Sequence, residues 1–139
     1  MKVMVLGKAT ERSESGELGT PEEFAAMDTY MQQLIQAGVL LAGDGLQPSS
    51  KAKRVAIDAD GNSRVIDGPF AESKELVAGY SIWEVSSMDE AVEWAKRSPV
   101  EGVVELRKIL DMDDFDPTLA AEITAAEERA RAEVAAKPS

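Results

Sequence analysis

The order in which helical and strand-like segments follow one another constrains this chain more than any other feature. Two segments with helical periodicity separate short apolar runs that have the length and composition of strands. The predicted strands cover residues 3–6, 39–42, 76–85 and 103–109, with a hairpin formed by 52–58 and 63–67. This order is that of an α+β ferredoxin-like sandwich with an added hairpin. We predict this fold for residues 1–110.

Both predicted helices begin with sequences that satisfy free backbone N–H groups. Thr20 is placed to cap the first helix, Pro21 suits its first position, and Glu23 is spaced to complete a capping box. Gly38 suits a left-handed residue at the end of this helix. Residues 87–90 form a second predicted capping box.

Glycines are predicted to interrupt the regular structure in three places. Residues 8–19 are expected to form a long loop, and residues 43–45 are expected to break the second strand. Gly79 lies inside the longest predicted strand, where glycine marks a bulge or a close approach of another backbone.

The chain contains neither cysteine nor histidine. This composition excludes disulfides, thiolate metal sites and cysteine nucleophiles, and it removes the side chain best suited to proton transfer near neutral pH. We therefore expect no metal site and no cofactor. Any acid–base chemistry would fall to carboxylates, lysine or tyrosine with shifted pKa values.

Acidic residues outnumber basic ones by 26 to 15, giving a net charge of −11. Nucleic-acid binding needs a clustered basic face, and the nearest group here is only three charges, Lys51, Lys53 and Arg54. No stretch approaches the ~20 apolar residues of a membrane span, and no signal-peptide pattern is present. We expect a cytoplasmic protein with no nucleic-acid or membrane partner.

The C-terminal segment, residues 111–139, differs in composition from the rest. Asp116 and Pro117 are typical of a helix start, and the helix that follows is rich in alanine and glutamate. The segment carries eight acidic and three basic residues, a net charge of −5. We predict a helical extension that docks on its own domain or on a partner subunit, the alternative being a solvated tail.

One short segment holds a tight corner and several charged side chains. Gly68 and Pro69 form a rigid turn that could hold Phe70 in a fixed position. The candidate ligand-binding residues of this segment are Asp67, Pro69, Phe70, Glu72, Lys74 and Glu75. The alternative is that Phe70 fills the core and the charges are solvated.

A second candidate group lies on the last predicted strand. Glu105 and Arg107 are two residues apart, so both side chains point to one face of the strand. Either this face lines a wet cleft, or the two groups form ion pairs with Lys2, with Glu84 or with each other.

The chain resembles the DGPF family, a branch of the YCII-related superfamily named for its Asp-Gly-Pro-Phe motif. The motif is Asp67-Gly68-Pro69-Phe70, and similar blocks occur at residues 41–46, 79–85, 89–95 and 104–107. The resemblance implies ferredoxin-like protomers that pair sheet to sheet as a dimeric α+β barrel. It also implies a link to extracytoplasmic-function sigma factors. Wider YCII relatives carry a His and Asp pair suspected of catalysis, which this sequence without histidine cannot provide.

Two functions follow from these observations. The first is a homodimeric accessory module that binds a small molecule or a sigma-factor-type protein partner. The second is a cofactor-free enzyme acting on a polar carbonyl or lactone-like substrate. Such an enzyme would use Asp67 or Glu105 as the base and Arg107 or Lys74 as the electrophilic stabiliser.

Overall fold

The structure, a computed structural model, describes residues 1–71 and 75–138. Its elements follow the predicted order. The strands are β1 (Lys2–Lys8), β2 (Leu40–Gly45), β3 (Lys53–Ile57), β4 (Ser63–Asp67), β5 (Val77–Glu84) and β6 (Val104–Lys108). The helices are α1 (Glu11–Glu14), α2 (Pro21–Gln36), α3 (Met88–Ala95) and α4 (Pro117–Ala136). The chain divides into two compact units, Met1–Lys108 and Ile109–Ser139.

The first unit is built on an antiparallel sheet with the strand order β2-β5-β1-β6. Strand β1 lies at the centre and pairs with both β5 and β6, while β2 forms one edge beside β5. Without the hairpin, the order of strands and helices is strand, helix, strand, strand, helix, strand. The predicted α+β ferredoxin-like sandwich is therefore confirmed.

The core lies between this sheet and the helices α2 and α3. Alternate residues of the strands point toward the helices, as the two-residue period of a strand requires. The core residues are Val3, Val5, Tyr30, Leu34, Val39, Trp83, Val85 and Ala91. Val3 and Leu34 are fully buried, and such a side chain contributes roughly 1.5–3 kcal/mol to stability.

The predicted loop at residues 8–19 is partly helical, which corrects the sequence prediction. Thr10 caps the one-turn helix α1, because its hydroxyl accepts a hydrogen bond from the Ser13 N–H at 3.1 Å. Arg12 on this helix holds both carboxylate oxygens of Glu23, at 2.8 and 2.7 Å. Thr20 caps α2 as predicted, but Glu23 binds Arg12 instead of completing a capping box.

The predicted break at residues 43–45 is also wrong, because β2 continues to Gly45. Gly43 pairs with Ser81 and Gly45 with Gly79. A Cβ on Gly43 would lie only 3.0 Å from the Ser81 Cβ, so this glycine allows close strand packing rather than ending the strand. Gly79 makes the predicted close approach, since its Cβ would lie 3.2 Å from the Asp44 carbonyl oxygen.

The predicted hairpin forms a separate two-stranded sheet of β3 and β4. The Asp58 carboxylate accepts hydrogen bonds from the N–H groups of Asp60 and Asn62, at 2.9 and 3.0 Å. Gly61 has a φ of +84°, which glycine adopts without strain. These interactions fix the turn between the two strands.

The second unit contains α4, which begins at Pro117 as predicted. The Asp116 side chain accepts a hydrogen bond from the Leu119 N–H at 3.0 Å and so caps this helix. Its apolar side chains are sparse, and Val134 is 73% exposed. Within the part of the chain that the structure describes, no helix is both long and apolar enough to cross a bilayer.

Candidate functional site

The main cavity of the first unit lies between α2 and the sheet and has a volume of about 490 Å³. Its size falls within the range of roughly 300–1,000 Å³ that is typical of small-molecule sites. The cavity has a floor made by the sheet, a roof made by α2, and one side closed by the segment between α3 and β6. It is therefore a concave space bounded by regular structure.

Glycines form much of the floor of this cavity. Gly7 of β1 pairs directly with Gly79 of β5, and Gly79 pairs with Gly45 of the edge strand. Three adjacent strands thus present a row without side chains on the face toward α2. The next row toward the core contains Gly43 and Ser81, which are also small. We call these five residues the glycine floor.

The roof consists of apolar side chains from α2. Phe24, Met27 and Met31 recur on one face of this helix and line the cavity. Phe24 is 60% exposed although it is aromatic, so its ring is available at the edge of the cavity. A roof of this kind favours an apolar ligand surface.

Two core aromatics close the inner end of the cavity. The Tyr30 hydroxyl donates a hydrogen bond to the Trp94 carbonyl oxygen at 2.8 Å, and burial of the phenol raises its pKa. The Trp83 indole N–H is buried and has no hydrogen-bond partner among residues 1–71 and 75–138. These side chains fix the inner wall of the cavity rather than offering accessible polar groups.

Few charged groups line the cavity. Lys8 and Asp44 line it, but their side chains interact on the opposite face of the sheet: Lys8 forms an ion pair with Glu105 at 3.2 Å, and Asp44 accepts a hydrogen bond from the Tyr80 hydroxyl at 3.0 Å. That bond to Asp44 raises the pKa of Tyr80. Glu101 also lines the cavity. The charged groups of Lys8 and Asp44 therefore do not lie in the cavity.

Glu105 and Arg107 form a salt bridge at 2.5 Å, one of the two arrangements considered from the sequence. Lys8, which the sequence did not suggest as a partner, is the main cause of a lowered pKa of Glu105, and Arg107 contributes. Glu105 is 31% exposed and Arg107 is 74% exposed. Neither residue lines the main cavity or the smaller one beside Phe70.

The Asp-Gly-Pro-Phe segment forms a corner against the loop that carries Ser49. A Cβ on Gly68 would lie 1.7 Å from the Ser49 carbonyl oxygen, so only glycine fits there. The Phe70 N–H donates a hydrogen bond to the Ser49 hydroxyl at 3.1 Å. Ser49 is buried, and both its N–H, at 2.8 Å, and its hydroxyl donate to the Glu14 carboxylate.

The Phe70 ring is half-buried and lines a second cavity of about 440 Å³. The Arg54 guanidinium lies over this ring, 3.7 Å from its centroid. Asp67 forms an exposed ion pair with Lys53 at 2.6 Å, and Pro69 and Glu75 are exposed. Among the described candidate residues of this segment, Phe70 thus lines a cavity, whereas Asp67, Pro69 and Glu75 are exposed.

Two candidate residues, Glu72 and Lys74, lie outside the described residues. Of the remaining candidates, Asp67, Pro69 and Phe70 lie at the hairpin end and Glu105 with Arg107 on β6, while Glu75 is exposed before β5. No single one of the two cavities contains both groups. Their convergence on one hollow in a dimer stays a prediction.

The main cavity was not predicted from the sequence, although its signal was present. Gly7, Gly43, Gly45 and Gly79 stand inside or at the ends of strands, where glycine is unfavourable. Only the strand register shows that these glycines lie side by side. Within the described part of the chain, no group of three or more acidic residues is placed to hold a metal ion.

Comparisons with known proteins place the chain in a family. An uncharacterized protein of Rhizobium meliloti (strain 1021) is 31% identical over 87 residues, which are 60% of this chain and 69% of that protein. A solved structure of 5-chloro-2-hydroxyhydroquinone dehydrochlorinase from Burkholderia phenoliruptrix AC1100, in complex with 2,5-dihydroxybenzoquinone, is 18% identical. The similarity covers 78% of this chain and 94% of the enzyme, with a TM-score of 0.40. The model of the YCII-related domain matches residues 1–113, and the chain therefore belongs to the YCII-related family.

Proposed function

We propose that this protein is a small-molecule-binding accessory module that works as a homodimer. The observation that carries the proposal is the glycine-floored cavity between α2 and the sheet. The cavity of about 490 Å³ is open at its edge and leaves apolar side chains of α2, such as the 60% exposed Phe24, in contact with water, a loss of hydrophobic burial. Occupation by a ligand would offset that loss.

The arrangement of charged groups favours binding over catalysis. Glu105 is held by Lys8 and Arg107, and its pKa is lowered. A general base that works near neutral pH needs a raised carboxylate pKa, which is the opposite shift. Asp67 is exposed and paired with Lys53, so it also lacks the buried setting of a catalytic base.

A cofactor-free enzyme acting on a polar carbonyl or lactone-like substrate is the second candidate. The Tyr80 phenol favours it: it donates a hydrogen bond to Asp44 on the face of the sheet opposite α2, and the same proton could be redirected to a developing oxyanion. In this form of the proposal, Tyr80 replaces Arg107 and Lys74 as the stabilising group. Tyr80→Phe then abolishes turnover while ligand affinity changes little.

Nuclear magnetic resonance of the uniformly ¹⁵N-labelled full chain tests the main proposal. A library of small molecules should yield binders whose amide shift changes cluster on β1, β2, β5 and α2. Binding without chemical change of the ligand over a day supports the accessory role, while turnover supports the enzyme. If all binders change the amide chemical shifts of other residues instead, or if nothing binds, the cavity is not a ligand site.

The proposed dimer uses the face of the sheet opposite α2 and α3. This face carries the apolar side chains of Met4, Leu6 and Ile82 and the charged Lys8–Glu105 pair. The three apolar side chains are partly exposed in the single chain. An apolar sheet face in water is unfavourable, and a second copy would cover it. Pairing of two such sheets gives the dimeric α+β barrel.

Analytical ultracentrifugation at micromolar concentration tests the dimer. The wild-type chain should sediment as a dimer, and Leu6→Glu should sediment as a monomer because the charge would be buried at the interface. Ile35→Glu on the exposed side of α2 is the matched control and should remain dimeric. A wild-type monomer, or a dimer with Leu6→Glu, would remove this interface.

A sigma-factor-type protein is the partner that the family resemblance suggests, and the cytoplasm is where the two would meet. The net charge of −11 would favour a basic region of such a factor. Titration of a purified extracytoplasmic-function sigma factor of the same organism into this protein tests the proposal. Binding that weakens steeply between about 50 and 300 mM salt supports it. Absence of binding at low salt contradicts it.

A further inference from the structure

The shape of the glycine floor limits what can lie on it. Gly45, Gly79 and Gly7 stand opposite one another on three neighbouring strands. Adjacent strands are ~4.8 Å apart, so this row is roughly 10 Å wide without a protruding side chain. Gly43 and Ser81 extend the same surface by a second row. The floor is therefore broad and nearly flat.

Two of these glycines are not required by the fold. A Cβ on Gly45 would meet no atom within 4 Å, and one on Gly7 would meet only the Gly79 carbonyl oxygen, at 3.7 Å. Neither residue has a positive φ. Glycine inside a strand weakens it, and a residue with a side chain would fit both positions. The space above Gly7 and Gly45 is thus kept free at the expense of strand stability.

The roof opposite the floor suits an aromatic ring. Met27 and Met31 are flexible thioethers, which make favourable contacts with aromatic rings at ~5 Å. Phe24 adds an exposed ring at the edge. A flat floor and a thioether roof fit a planar ligand, whereas a puckered ring would leave gaps against the floor.

Charge and hydrogen bonding define the rest of the ligand. Of the charged residues that line the cavity, Asp44 directs its carboxylate to the opposite face of the sheet and Lys8 is paired with Glu105, while Glu101 repels anions. Ser81 places a hydroxyl in the floor, and this hydroxyl has no protein hydrogen-bond partner within the described part of the chain. A ligand hydroxyl or carbonyl group would satisfy it.

We propose that the cavity binds an uncharged planar aromatic molecule that carries a hydroxyl or carbonyl group, and that Gly7 and Gly45 determine this specificity. The ring lies on the glycine floor beneath Met27 and Met31. Its oxygen forms a hydrogen bond with Ser81. This inference rests on the proposed function, because it names the class of ligand for the same cavity.

Isothermal titration calorimetry of the full chain with three related compounds tests the ligand class. The probe is 2-naphthol, decahydro-2-naphthol is its saturated puckered counterpart, and 2-naphthoate is an anionic counterpart. We expect 2-naphthol to bind about tenfold or more tightly than either of the others. Equal affinity for 2-naphthol and its saturated counterpart would refute the planar ligand while leaving a binding cavity in place. Equal affinity for the anion would refute the requirement for an uncharged ligand.

Three variants connect the binding to the floor. Gly45→Ala adds one methyl group to the cavity and should weaken 2-naphthol binding about tenfold or more, without lowering the unfolding midpoint. Ala42→Ser, an equally small change on the opposite face of β2, is the matched control and should bind as the wild type does. Ser81→Ala should weaken 2-naphthol binding and leave naphthalene binding unchanged. If Gly45→Ala binds 2-naphthol normally, the role of the floor is wrong.

If none of the three compounds binds, the specificity inference is overturned for this ligand class. The amide-shift screen described for the proposed function then decides the wider question. Ligands of another shape that change the amide chemical shifts of β1, β2 and β5 would support the cavity as a ligand site. A screen without such binders would remove both proposals.

Discussion

Replacement of Gly68 by alanine should destabilise the first unit strongly, because the added methyl group has no room. Its Cβ would lie 1.7 Å from the carbonyl oxygen of Ser49 and 3.3 Å from that of Ala52. Both atoms belong to the backbone, so no flexible side chain can move aside. The corner must open, and the hydrogen bonds that close it are then lost or lengthened.

The magnitude follows from those losses. The Gly68 N–H donates to the Ala52 carbonyl oxygen at 3.0 Å, and the Phe70 N–H donates to the Ser49 hydroxyl at 3.1 Å. Each such bond contributes about 1 kcal/mol. Strain from overpacking adds about 1–3 kcal/mol. The expected loss of unfolding free energy is therefore about 3–5 kcal/mol, a large part of the roughly 5–15 kcal/mol available to a domain.

Urea unfolding followed by tryptophan fluorescence measures this loss. With a slope of about 2 kcal/mol per molar urea, the midpoint of Gly68→Ala should fall by roughly 1.5–2.5 M. Gly45→Ala is the matched control, because the same methyl group there meets no atom within 4 Å. Its midpoint should stay unchanged or rise slightly. A Gly68→Ala midpoint within about 0.5 M of the wild type would refute the close packing of the corner.

Three further substitutions probe single interactions. Ser49→Ala removes a buried hydroxyl that both accepts and donates a hydrogen bond, and it should lower the unfolding free energy by about 1–3 kcal/mol in urea titration. Tyr30→Phe leaves the Trp94 carbonyl oxygen without the phenol and should cost about 1 kcal/mol in the same assay. The pairing with Lys8 lowers the pKa of Glu105, so its stabilising effect is present above the unfolded pKa of about 4.3 and is lost as the pH falls through the folded value. Glu105→Gln should therefore lower the melting temperature at pH 7 but not at pH 2.5, as read by differential scanning calorimetry.

Neighbouring residues provide the controls for these substitutions. Ser50→Ala removes an exposed hydroxyl beside Ser49 and should leave stability unchanged. Glu93→Gln removes an exposed carboxylate and should change the melting temperature little at either pH. An effect of Glu105→Gln that persists undiminished at pH 2.5 would show that its charge is not the cause. Equal effects of the two serine substitutions would contradict the role given to Ser49.

Local signals in the sequence predicted the backbone structure well, because they act over a few residues. Thr20 accepts from the Glu23 N–H, and Gly38 has a φ of +72°, as the capping patterns predicted. The partner of the Glu23 carboxylate could not be predicted in the same way. Arg12 reaches it from a segment that was expected to be a loop, so the contact depends on tertiary packing.

The candidate site was less predictable, since it depends on strand register. The Glu105–Arg107 pair follows from their spacing, but the contact with Lys8 requires the antiparallel pairing of β1 with β6. The glycine floor similarly requires three strands to be aligned. In the sequence, the glycine of β1 is at least 34 residues from those of β2, and those of β2 are at least 34 residues from the glycine of β5. No local pattern contains that information.

The hydroxyl of Ser49 joins three stretches of chain that lie far apart in sequence. It contacts Glu14 on one side and the backbone of Phe70 on the other, while Gly68 packs against the same residue. A substitution at position 14, 49 or 68 therefore removes an interaction that the other two residues cannot replace. Among related sequences, we therefore expect the identities at positions 14, 49 and 68 to change together, as correlated substitutions. The Asp-Gly-Pro-Phe tetrapeptide at this corner would then have a structural role rather than a chemical one.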